Sequence, residues 1–275
     1  MKFAICNEIF QSWPVERGFK FAAEVGYHAV EIAPFTISKY VTDISPEQRL
    51  TLRRQADSAG VAISGLHWVL AFTEGFHLTH PDPAIRSKTS DYLTELVACC
   101  ADLGGQSIVV GSPKQRNLDE NTPFELGWAR ALDVFRPMIR AAEAKQVTVC
   151  FEPLAPSETN FINTAEKAIQ FTQALQSDRF KIILDVKAMS SESKPIPQII
   201  HDSSPHFRYF HANDRNLKGP GFGDTDFHPI AKALKEVGYT GYVSVEVFNF
   251  DEGPEIIASE SIKYLRSVFE STTPR

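Results

Sequence analysis

Four residues with strong ligand chemistry sit at the ends of apolar, β-rich runs in the second half of this 275-residue chain. Glu152 closes VTVCFE, Asp185 closes KIILD, His211 closes FRYFH and Glu246 lies in YVSVEV, at separations of 33, 26 and 35 residues. Three carboxylates gathered away from water repel one another unless a cation sits among them. Three oxygen ligands with one imidazole and no thiolate suit manganese, magnesium or cobalt better than a structural zinc site. Taken singly, each residue is more often an ordinary strand-end charge or a hydrogen-bonded histidine. It is the regular spacing of all four that argues for one shared divalent ion.

That spacing needs elements to support it. Eight β-rich runs alternate with helical patterns: FAICN, AVEIA, AISGLH, SIVVG, VTVCFE, KIILD, FRYFH and YVSVEV. Between them lie SPEQRLTLRRQADSAG, with Ser45 as cap, Pro46 at the first helical position and Gly60 as stop, and five more stretches: 82–105, 123–145, 163–176, 227–238 and 253–270. Strand–helix alternation without a break in composition predicts parallel strands joined by right-handed crossovers, closed as a single (β/α)8 TIM barrel over residues 1–270, with 271–275 (STTPR) as a tail. A doubly wound open sheet is the competitor, but no GxGxxG follows the first strand. In a barrel, chemistry sits at the C-terminal strand ends. Alternation puts Thr148 and Cys150 beneath Glu152, Ile183 beneath Asp185, Tyr209 beneath His211 and Ser244 beneath Glu246, so the four polar ends can face one mouth.

Composition narrows the chemistry. With 28 basic and 34 acidic residues the net charge is −6, which offers no broad attraction for nucleic acid or an anionic membrane and favours a small-molecule substrate. The start, MKFAICNEIF, lacks an apolar core with a cleavage site, and no later run reaches the length of a membrane span, so the expected location is cytoplasmic. Cys6, Cys99, Cys100 and Cys150 show no CxxC spacing and read as reduced packing residues.

The strand-end set FEP, LD, FHAND and VE, with GFGDTDF after the seventh strand and GYHAVEI at the second, resembles the xylose-isomerase-like superfamily of sugar isomerases and epimerases, in particular its ketose 3-epimerase branch and the related sugar phosphate isomerase/epimerase proteins. The resemblance spans nearly the whole chain. It implies one divalent metal, Mn(II) with Mg(II) or Co(II) as alternatives, on Glu152, Asp185, His211 and Glu246, and proton exchange with the sugar through Glu152 and Glu246. It also implies pairing as homodimers or homotetramers. Glu158 matches a family glutamate that binds sugar hydroxyls, and His67 sits where a mouth histidine is common. Two positions depart from the epimerase pattern: Ala188 stands where a substrate-binding histidine is expected, and Leu217 where an arginine is expected, with Arg215 nearby.

In their place Lys187, Arg215, Lys218, Lys114 and Arg116 form a set of loop cations that can bind a phosphate or carboxylate on a sugar, or else are solvated charge. Trp13, Trp68 and Phe72 offer an apolar wall for a sugar face, or core packing. KGPGFGD reads as a lid or a turn. The expected function is a metal-dependent sugar isomerase or epimerase that removes a proton beside a carbonyl and passes through an enediolate, on a ketose, sugar phosphate or related keto sugar. A lyase or dehydratase expelling a leaving group from a 3-keto sugar or glycoside is the close alternative. A metal-dependent endonuclease-like phosphodiesterase is remote, because the early strand ends are short of the extra histidines it needs and the net charge opposes it. A non-catalytic sugar-binding protein would have no need of two bases.

Overall fold

Runs rich in Val, Ile and Phe that are apolar at most positions suit strands covered by helices outside and by packed side chains inside. In the computed structural model, which describes residues 1–271, they form eight parallel strands: β1 (Lys2–Cys6), β2 (Ala29–Ile32), β3 (Ala62–Leu66), β4 (Ser107–Val110), β5 (Thr148–Phe151), β6 (Phe180–Asp185), β7 (Phe207–Ala212) and β8 (Tyr242–Val245). Each pairs with the next and β8 returns to β1, so the sheet closes as the expected barrel. The helices are α1 (Val15–Val25), α2 (Pro46–Ala59), α3 (Pro83–Asp102), α4 (Phe124–Lys145), α5 (Ala165–Gln173), α6 (Val186–Met189), α7 (Ile196–Ser203), α8 (Phe227–Glu236) and α9 (Pro254–Ser271). Residues 272–275, the rest of the expected tail, lie outside the described residues.

Local chemistry explains the helix ends. Ser45 and Gln48 form a reciprocal capping box at α2, Pro46 takes its first position, and Gly60 ends it at φ +84°. Asp82, Thr164 and Asp226 cap α3, α5 and α8 with side-chain oxygens. Two further helices are α1, where Gly18 packs against Phe10, and α7, whose eight residues contain Pro197 near its start.

The barrel interior is a separate small layer. Val109, Cys150, Ile183 and Tyr209 pack together inside the strands, which is the layer that alternation places beneath the strand-end acids. The Tyr209 hydroxyl donates to Ser64 Oγ at 2.7 Å across the barrel. All four cysteines are free and buried. No helix among the described residues is long and apolar enough to cross a membrane.

Candidate active site

Strand register brings the strand-end acids together. Asp185 is the last residue of β6 and pairs with His211 on β7, which in turn pairs with Ser244 on β8. Glu152 and Glu246 each lie one residue past their strands, yet their N–H groups still donate to Val110 O (3.1 Å) and Ala212 O (3.2 Å). Glu152, Asp185, His211 and Glu246 are all buried, and one ligand atom from each falls within 4.8 Å of the others. Gly111 makes room at the end of β4: a Cβ there would stand 2.1 Å from Glu152 Oε2.

The donor set fits a divalent cation. His211 Nδ1, 3.2 Å from Glu246 Oε2, has no hydrogen-bond partner, while Nε2 lies 3.0 Å from Glu31 Oε2. A ring nitrogen left open toward a carboxylate cluster, with the other fixed by a second carboxylate, is the usual arrangement of a metal-ligating histidine. Glu31 is itself held, accepting from Ser244 Oγ at 2.8 Å and from the Cys6 thiol at 3.4 Å. Asn213 ties the acids to each other: its amide nitrogen donates to Asp185 Oδ2 and Glu246 Oε2, and its oxygen accepts the Lys187 N–H at 2.8 Å. The second Asp185 oxygen accepts the Ala188 N–H at 2.7 Å and caps α6.

Electrostatics separate the two glutamates. Burial, then the neighbouring Asp185 and Glu246 charges, push the Glu152 carboxyl up to about 8. Burial and Glu246 push Asp185 up to about 6. Burial acts on Glu246 in the same upward sense, but the adjacent His211 and His67 outweigh it and hold Glu246 well below the usual carboxyl range. Two carboxyls whose surroundings pull their protonation apart suit opposite acid and base roles.

Glu246 has a second environment on its other oxygen. Trp68 Nε1 donates to Oε1 at 2.7 Å, and His67 Nδ1 lies 3.6 Å from the same atom. His67 Nε2 in turn lies 3.0 Å from Oε2 of Glu8, and all three residues other than Trp68 are buried. Trp68 is held at φ +49°, a backbone region that bulky residues rarely adopt.

Beside this centre runs an aromatic face. Trp68 stacks between Phe35 (6.0 Å) and Phe248 (5.7 Å), and Phe72 meets Phe35 edge-on at 4.8 Å. The Lys187 ammonium lies 4.0 Å above the Phe248 ring and pairs with Glu158 Oε1 at 2.7 Å. A cavity of about 500 Å³ is lined by Glu158, Lys187, Ser190, Ser191, Arg215 and Phe248, among others. Glu158, Lys187 and Arg215 are therefore brought together, and His67 joins the metal-side cluster.

The remaining expected binding residues are not brought there. Arg116 is fully buried, donates to Glu152 O at 2.6 Å and Ile162 O at 3.4 Å, and lies 5.0 Å from the Phe151 ring centre. Burial lowers it only to about 10, so its charge persists and is used on backbone carbonyls rather than on a ligand in the mouth. Lys114 is exposed on the turn Pro113–Gln115. Trp13 stacks on Phe10 (5.2 Å), with the Arg17 guanidinium 3.7 Å above it, and does not line the cavity of Glu158 and Lys187. Lys218 pairs with Glu252. KGPGFGD is tied down as a turn: Asn216 Nδ2 donates to Phe222 O at 3.0 Å, and Thr225 N to Asp214 Oδ2 at 3.0 Å.

Glu8, Glu31 and Asn213, together with Phe35 and Phe248 of the aromatic face, were not singled out from sequence. A glutamate inside the otherwise apolar AVEIA was the available signal for Glu31. Asn213 stands two residues past His211 in FHAND, and Glu8 lies in a short 3-10 turn (Asn7–Phe10) just beyond β1.

The chain belongs to the xylose isomerase-like TIM barrel family, whose model matches residues 19–268. It is 27% identical to a D-psicose 3-epimerase of Ruminiclostridium cellulolyticum over 244 residues, covering 86% of this chain and 80% of that protein. It is 24% identical to a 3-dehydro-D-guloside 4-epimerase of Escherichia coli, covering 97% and 100%. Among solved structures, a D-psicose 3-epimerase crystallised in the presence of D-fructose superposes with a TM-score of 0.85 at 20% identity, over 98% of this chain and 99% of that one.

Proposed function

We propose that this protein is a metal-dependent epimerase that inverts a carbon next to the carbonyl of a ketose or keto sugar. The observation that carries the reading is the pair Glu152 and Glu246, which follow β5 and β8 and are joined in one buried ligand set. A divalent cation bound by Glu152, Asp185, His211 and Glu246, Mn(II) being our choice for three oxygens and one imidazole, would polarise the sugar carbonyl and favour the negative charge that develops when the neighbouring carbon loses its proton. Glu246, kept ionised, takes that proton. A proton taken up from solvent through Glu152 is delivered to the opposite face, and the centre inverts. Asn213 orients Asp185 and Glu246, and Glu31 fixes the His211 ring. The Phe35–Trp68–Phe248 row supplies an apolar face for the sugar, while Glu158, Lys187 and Arg215 bind its polar groups.

Relatives named as a 3-epimerase of a ketose and as a 4-epimerase of a 3-dehydro sugar share the same demand, a proton exchanged beside a carbonyl. Ala188 in place of a histidine and the Lys187–Glu158 pair set this pocket apart from the epimerase pattern, so a substituted or acidic keto sugar belongs in the substrate panel beside free ketoses. The Mn(II)-loaded protein incubated in deuterated water with ketoses, their phosphates and 3-keto glycosides should incorporate deuterium at one inverted carbon of one substrate class. Release of an aglycone instead would establish the elimination reaction. Absence of Mn(II)-dependent exchange on every member would overturn the reading.

A further inference from the structure

Glu8 is a complete burial of a carboxylate that none of the chemistry above uses. It is 0% exposed, and no hydrogen bond of good geometry satisfies either of its oxygens. Among the described residues its ion-pair partner is His67 Nε2 at 3.0 Å, whose ring nitrogens likewise have no hydrogen-bond partner. An unsatisfied buried carboxylate costs stability, so its position calls for a functional account. His67 is held on the other side by its own backbone, whose N–H extends the β2–β3 ladder to Ile32 O at 3.0 Å. Its Nδ1 then faces Glu246 Oε1 at 3.6 Å, the oxygen that also accepts the Trp68 indole N–H. The other Glu246 oxygen, Oε2, is the one turned to His211 and Asn213. The two oxygens of one carboxylate thus have two different sets of neighbours.

We infer that Glu8 is a positioning residue that acts through His67: its buried carboxylate fixes the imidazole with Nδ1 against Glu246 Oε1, and together with Trp68 this holds that oxygen apart from the metal set as the proton-accepting atom. The division of labour follows from geometry: Oε2 serves the ligand cluster and Oε1 serves the substrate. The unfavourable backbone of Trp68 belongs to the same device, because φ +49° is what carries the indole to Oε1. The inference rests on the proposed proton transfer by Glu246, but its structural half can be read without turnover.

The test compares wild type with Glu8→Gln, which keeps shape and removes charge, and Glu8→Asp, which keeps charge and draws it back. Imidazole nitrogen NMR on the Mg(II)-loaded protein should show the His67 Nε2 proton engaged by Glu8 in wild type, and that signature should be lost in Glu8→Gln. On the substrate found by the panel, Glu8→Gln should lower kcat about 10- to 100-fold, the usual effect of removing an outer orienting group. KM and Mn(II) affinity should stay within about threefold, and Glu8→Asp should recover part of kcat. Wild-type kcat in a folded Glu8→Gln, an unchanged His67 signal, or a loss of kcat matched by loss of Mn(II) binding would each overturn the inference. Should Glu8→Gln not fold, Glu8→Asp carries the same comparison, with a kcat loss at unchanged Mn(II) affinity expected. If wild type exchanges no substrate proton, the proposed reaction fails, and the His67 signal alone then decides the Glu8–His67 contact.

Discussion

At the residue scale, the division between Glu152 and Glu246 has direct consequences. Glu246→Gln keeps the side-chain shape and removes the base; it should lower exchange by at least about 100-fold, the lower end of what a positioned acid–base group contributes, while the circular dichroism spectrum stays that of wild type. Protons offer a second check. Glu152 and Asp185 have folded pKa values raised to about 8 and about 6 by burial and by neighbouring carboxylates, Asp185 and Glu246 acting on the first and Glu246 on the second, so the metal-free protein holds protons there that an unfolded chain has already released. Their contribution to stability is full below the ordinary carboxyl range and is lost as pH rises through about 6 and then about 8. A metal must displace the same protons. Mn(II) binding followed by calorimetry in two buffers should therefore release protons below pH 8 and tighten as pH rises over that range; affinity that is flat with pH would contradict the assigned ligands. The four proposed ligands stand out in the sequence because each sits at a strand end, one unit from the next, and the structure gathers them in one buried cluster. Arg116 was not: in GSPKQRN it reads as a loop cation, and only folding shows its guanidinium buried against the Glu152 and Ile162 carbonyls.

At the element scale, strand alternation carried most of what could be read. It placed Cys150, Ile183 and Tyr209 beneath the ligand ring, and the structure packs them there. The same period has no purchase on a 3-10 turn, which is why Glu8, immediately beyond β1, escaped notice although its carboxylate lies against the site. The Lys187–Glu158 pair joins residues 29 apart on different loops, a contact no local pattern encodes. The end of β4 gives an element-level prediction. Because a Cβ at Gly111 would stand 2.1 Å from Glu152 Oε2, Gly111→Ala should displace the ligand rather than the barrel. Mn(II) affinity is expected to fall about 10- to 100-fold with the thermal midpoint of the metal-free protein nearly unchanged, as isothermal titration and thermal melts would show.

For the whole molecule, the closed sheet explains why acids can be buried at all. Eight strands and their helices form one apolar body, and around the site some of the polar residues held inside it are tied together: Glu31 to His211, Ser244 and Cys6, and Asn213 to Asp185 and Glu246. Repulsion among Glu152, Asp185 and Glu246 remains as a debt of the metal-free fold, and a bound cation removes it. At a free Mn(II) concentration about 100 times Kd the gain is about 2.7 kcal/mol, which for a chain of this size raises Tm by roughly 5–10 °C. Asp185→Asn and His211→Gln should each erase most of that shift.

The account's central claim is a two-base inversion beside a carbonyl. It is tested most directly by following the Mn(II)-loaded protein in deuterated water over the first few per cent of conversion and locating deuterium in both product and recovered substrate. The predicted result is one deuterium at the inverted carbon of the product and little in the recovered substrate, because Glu246 takes the proton from one face and Glu152 delivers solvent deuterium to the other. Equal labelling of substrate and product, or inversion without any label, would contradict it.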